Sequence, residues 1–89
     1  MKQIKLTNQF KRDAKKHFLS FLTPEWAEVL NCLVNGLTLP EKYRNHALKG
    51  ELKDFRDCHI KPDLVLLYSV DNEHIHLIRI GSHSELDIA

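Results

Sequence analysis

The chain has 89 residues, of which 43% are hydrophobic and 28% charged, with three glycines and three prolines. That is room for one hydrophobic core, and it excludes a disordered or fibrous chain. The longest apolar run, Leu64 to Tyr68, is far too short to span a membrane, and residues 1–5 carry no signal-peptide core. A cytoplasmic protein with no membrane partner is expected. Cys32 and Cys58 have no CxxC spacing, so a disulfide framework or zinc knuckle is not expected. The net charge is only +1, but residues 1–20 hold six cations against Asp13, and residues 71–89 hold four anions against Arg79. Such an arm can meet phosphate or an acidic protein, or simply face solvent.

Taken in chain order, Ile4 and Leu6 predict a short strand. Thr7 or Asn8 can cap a helix whose apolar face is Phe10, Ala14, His17 and Phe18. Thr23-Pro24-Glu25 is a stronger helix start: N-cap, proline at the first position and a carboxylate at the positive dipole end. The stripe Trp26, Val29, Leu30, Leu33, Val34 and Leu37 follows, with Gly36 as the stop. After Gly50 the period becomes two. Strands are expected at Lys53 to Ile60, Leu64 to Val70 and His74 to Gly81, with a further short one near Leu48. Pro62 marks one turn and Asp71-Asn72 the other, the latter because both residues tolerate positive φ. Leu64 to Tyr68 is apolar on both faces and belongs at the sheet centre. The predicted fold is α+β in the order β-α-α-β-β-β, a single domain with two N-terminal helices packed on a mainly antiparallel sheet.

The residues able to move protons or hold phosphate fall in the second half: His46, Lys49, Lys53, Arg56, Asp57, His59, Lys61, Asp63, Arg79 and His83. Strand alternation places Phe55, Asp57 and His59 on one face, and Leu77, Arg79, Gly81 and His83 on another. Three chemistries compete. Metal-free acid–base catalysis uses imidazoles, which titrate near neutrality. A metal site could use His74 and His76, whose i, i+2 spacing can chelate, but no third ligand stands at motif spacing. Otherwise the histidines are only satisfied by hydrogen bonds. Cys58 and His59 point to opposite faces, which argues against a thiolate nucleophile and makes Cys58 an apolar filler.

Three strings carry more information together: Tyr43-Arg44-Asn45-His46-Ala47-Leu48-Lys49-Gly50; then Phe55-Arg56-Asp57-Cys58-His59-Ile60-Lys61-Pro62-Asp63-Leu64 and Tyr68; then Arg79-Ile80-Gly81-Ser82-His83-Ser84-Glu85-Leu86. In order and spacing they resemble the YafQ-type toxins of the RelE/ParE superfamily of bacterial toxin–antitoxin systems. The resemblance implies a RelE-like fold and a ribosome-dependent endoribonuclease that cuts mRNA in the A site without metal or other cofactor. It also implies a cognate antitoxin, with operator DNA met only through the toxin–antitoxin complex. The family's active-site positions fall on His46, Asp57, His59, Asp63 and His83. Lys49, Lys53, Arg56 and Arg79 are expected to hold RNA phosphate, on their charge. The family often has an aromatic residue after Leu86. Asp87 stands there in this chain, where an anion would repel phosphate and a ring would stack on a base.

In that reading the 2′-hydroxyl attacks the phosphorus. His59 or His83 is the base, the other or Asp63 the acid, Asp57 orients an imidazole, and His46 and the arginines stabilise the phosphate. An exposed Asp63 would move the acid role to a histidine. The alternatives are a ParE-like toxin acting on DNA gyrase and a degenerate antitoxin-binding module. A gyrase toxin does not need His46, His59, Asp63 and His83 as a set, and the degenerate module is suggested only by Asp87.

Overall fold

The protein is described from a computed structural model over residues 1–50 and 54–87. The edge strand β1 (Gln3–Leu6) leads into helix α1 (Asn8–Lys16), whose N-cap Thr7 accepts from the Phe10 N–H. The helix ends at Lys16, short of the expected Phe18. His17 leaves helical geometry, and Phe18–Leu22 forms a 3₁₀ turn that exposes Phe18, Leu19 and Leu22. Helix α2 (Pro24–Asn35) has the expected caps: Thr23 accepts from the Trp26 N–H, and Gly36 closes the helix at φ +68°. Trp26, Val29 and Leu33 are buried together with Cys32, whereas Leu37 is exposed.

A second 3₁₀ turn (Glu41–Tyr43) precedes strands β2 (His46–Ala47), β3 (Arg56–Lys61), β4 (Leu64–Val70) and β5 (His74–Gly81), and the short helix α3 (His83–Leu86). The sheet order is β1-β5-β4-β3-β2, so β4 is central, as its apolar run requires. All pairings are antiparallel except β1 with β5. Helix α3 was not anticipated. Its four residues are too few for a periodic signal, but Ser82 and Glu85 form a capping box at its start.

One core joins Phe10 of α1 and the α2 stripe to Cys58, Leu66, Tyr68, Ile75, Leu77 and Ile80 of the sheet. Each such side chain contributes about 1.5–3 kcal/mol through apolar burial. Val65 and Leu67, outside that cluster, are buried too. Cys58 is fully enclosed, and burial pushes its thiol up to about 12, consistent with an inert filler.

Two bulges interrupt the sheet. On β3, His59 pairs Val65 and Lys61 pairs Leu64, leaving Ile60 as the extra residue. On β5, Arg79 pairs Leu67 and Leu77 pairs Tyr68, leaving Ile78 extra. The second bulge breaks the expected shared face of Leu77 and Arg79: Leu77 and Ile80, three apart, both enter the core. The β4–β5 hairpin turns at Asp71-Asn72, but not through positive φ. The Asp71 carboxylate instead accepts from the Glu73 and His74 N–H groups.

Candidate active site

The site is built at the end of the sheet where β3 runs into the Pro62-Asp63 turn and β5 runs into α3. His59, Val65 and Gly81 sit side by side on β3, β4 and β5. The chain then turns at Ser82, and His83 opens α3 two residues beyond Gly81. The His59 and His83 rings meet edge to face, with centroids 5.0 Å apart and planes at 80°.

Asp63 fixes the second of these rings. Its Oδ1 accepts from the His83 backbone N–H at 3.0 Å and from the ring Nδ1 at 2.8 Å. An ionised carboxylate only accepts, so Nδ1 carries the hydrogen and Nε2 is left for a ligand. The two hydrogen bonds from His83 hold the Asp63 carboxyl below the usual carboxylate range. Asp63 is exposed and stays ionised at neutral pH, where it can accept hydrogen bonds but has no proton to give.

His59 differs. Burial pushes its pKa down and the neighbouring charge of His83 pushes it further, against an opposing pull from Asp57; Arg44 and His46 also lower it. A neutral imidazole at neutral pH is the form a general base needs.

His46, on β2, pairs in register with Asp57 on β3. Its Nδ1 donates to the Arg44 carbonyl at 2.9 Å, and its Nε2 lies 3.1 Å from Asp57 Oδ1. Asp57 is buried, and this oxygen makes no hydrogen bond among the described residues. A buried polar oxygen without a hydrogen bond is costly to keep, and the facing His46 ring is the group placed to offset that cost.

The His59 and His83 rings line a cleft of about 470 Å³ whose walls also include Glu25, Lys42, Tyr43, Arg44 and Lys61. Three of these residues are cations. Arg44 sits in left-handed backbone, φ +48°, next to Asn45. Asn45 Oδ1 accepts from Tyr68 Oη at 2.6 Å and from Arg56 Nε at 3.2 Å. This amide therefore ties the central strand to the segment that carries His46.

The expected phosphate ligands divide. Arg56 is tethered through Asn45, and Lys49 is exposed. Lys53 lies outside the described residues. Arg79 has a structural partner: its guanidinium donates to buried Asp13 of α1, through Nε at 3.0 Å and Nη2 at 3.1 Å. The Asp13–Arg79 pair spans 66 residues and leaves no periodic trace in the sequence. Lys42, Arg44 and Asn45 were also missed as site residues. The only available signal was their place beside the His46 motif.

Residues 2–88 match the family of bacterial toxins of type II toxin–antitoxin systems, YafQ. The chain belongs to the YafQ toxin family. It is 33% identical to the mRNA interferase toxin YafQ of Escherichia coli K12 over 86 residues, covering 96% of this chain and 84% of that protein. Among solved structures, a copper-bound mutant toxin from Helicobacter pylori superimposes with a TM-score of 0.88 at 40% identity, covering 97% of this chain and 99% of that one. YafQ in the E. coli DinJ–YafQ complex superimposes with a TM-score of 0.81 at 28% identity, over 97% and 98% of the two chains. Among the described residues, no helix of this YafQ-family chain is long and apolar enough to cross a membrane.

Proposed function

We propose that the chain is an endoribonuclease, an mRNA interferase, that cuts message in the ribosomal A site and is held in check by a cognate antitoxin. The observation that carries this reading is the His59–His83 pair, oriented by Asp63, in a cleft with cationic walls. RNA supplies its own nucleophile, so the protein needs a base for the 2′-hydroxyl proton, an acid for the departing 5′-oxygen and positive charge for the phosphorane. His59, kept neutral by its surroundings, is the base. His83, with Nδ1 on Asp63, donates from Nε2. His46 neutralises the phosphate with Arg44, Lys42 and Lys61 on the cleft wall, and Asp57 positions His46. The relatives' names support mRNA as substrate, and the DinJ–YafQ complex supports an antitoxin partner. Ribosome dependence rests on the family resemblance; operator DNA would be met only through the antitoxin complex.

The test is a primer-extension map of cut sites on one message with and without translation. Cuts inside the reading frame only during translation are expected, and they should vanish with H59A or H83A. Intact message beside damaged gyrase would overturn the reading.

A further inference from the structure

At the opposite end of β5 from the catalytic rings, Asp71, His74 and His76 bring three ligand atoms together, all within 4.8 Å of one another. The sequence shows two histidines alternating on a strand; the third group comes from the turn that precedes them. We propose that this cluster is a binding site for a divalent transition ion of the kind imidazole favours, Zn²⁺, Ni²⁺ or Cu²⁺.

The geometry is prepared. His76 Nε2 already lies 2.8 Å from Asp71 Oδ2, and His74 Nδ1 lies 3.5 Å from Asp71 Oδ1. The two rings lie 5.7 Å apart between centroids, with planes tilted by 51°. Asp71 cannot swing away, because Oδ1 accepts from the Glu73 and His74 N–H groups at 2.9 and 2.7 Å. That leaves Oδ2 for a metal, with its orientation fixed by backbone. Ile75 and Leu77 lock the strand into the core from the other face, so His74 and His76 project together, half-buried and open to solvent. Two nitrogens and one oxygen within 4.8 Å of one another can converge on a single ion at bonds of about 2.0–2.2 Å, with water completing the coordination.

Other charges bear on the site. Lys2 Nζ donates to the Asp71 and Asn72 carbonyls, and Lys5 is the register neighbour of His76 on β1; both oppose a cation, while Glu73 favours one. Two neutral imidazoles and one carboxylate nevertheless make a donor set softer than Ca²⁺ or Mg²⁺ would select. A bound ion would clamp the hairpin.

The test is a Zn²⁺ titration of the full chain, read by calorimetry and by backbone amide NMR. One equivalent should bind, with shifts at residues 71–76. H74A/H76A should weaken that event by about 100-fold or more, and D71N, which keeps an oxygen acceptor for the turn, should also weaken it. H59A/H83A should leave it intact, which separates this site from the catalytic histidines. Shifts confined to the catalytic rings, or none at the hairpin up to about 1 mM Zn²⁺, would overturn the proposal.

Discussion

Asp63 Oδ1 accepts from both the backbone N–H and the ring Nδ1 of His83, so one carboxylate starts α3 and aims the imidazole that opens it. Loss of the ring and loss of its orientation therefore separate experimentally. H83A should lower RNA cleavage by about 10²–10⁴-fold with little change in the melting transition, since the side chain is outside the core. D63N removes the charge but can still accept from the backbone N–H, so it should lower the rate less than H83A does. Single-turnover cleavage of a translated message checks both. Full toxicity of H83A would remove His83 from the mechanism.

With His59 as the proposed base, its environment should set the acidic limb of the pH profile. Burial and the charge of His83 lower its pKa, so it sheds its proton below the ordinary imidazole value of 6.5. Activity should rise with pH through that lowered value and be nearly flat, on the base side, above neutrality. Asp57 pulls the other way. D57N should therefore shift the limb to still lower pH, while H46A, which removes a neighbouring positive charge, should shift it upward. A histidine NMR titration of the free toxin reads the same shifts without chemistry.

Arg79 and Asp13 predict a stability effect. Burial raises the Asp13 pKa, but hydrogen bonds from Arg79, Gln9 and the Ile80 N–H outweigh it, and the carboxyl sits below the ordinary aspartate value of 3.8. A depressed carboxylate contributes stability that is fully present above the unfolded pKa. That stability is lost as pH falls through the lower, folded value. R79A strands a buried carboxylate and should cost about 2 kcal/mol at neutral pH, with a loss that shrinks in acid below 3.8. Denaturant melts at pH 7 and pH 3 test this. Wild-type stability with a large cleavage defect would return Arg79 to the RNA.

What the sequence disclosed follows from what periodicity can encode. The caps of α2, the central place of β4 and the short strand before β3 were all readable, because capping chemistry and alternation are local. The bulge at Ile78 was not, since an added residue changes register without changing composition, and it separated Leu77 from Arg79. The Asp13–Arg79 pair and the Asn45 hub depend on contacts between distant segments, so motif spacing could pick out His46, His59 and His83 but not the groups that support them.

Asp87 gives the last prediction. It caps α3 in left-handed backbone, φ +54°, with its N–H on the His83 and Ser84 carbonyls. Aspartate accepts that conformation more readily than a bulky residue, so the substitution has a local structural rationale. Its exposed carboxylate stands four residues from His83, where incoming phosphate would meet a negative charge. D87N, which also tolerates left-handed geometry, should raise apparent RNA affinity a few-fold at low salt, with the gain fading as salt increases. D87F should add base stacking worth about 1–3 kcal/mol, reduced by about 1–3 kcal/mol of backbone strain. Its net effect on affinity should therefore be small. If D87N leaves the salt dependence of cleavage unchanged, the residue lies outside the RNA path.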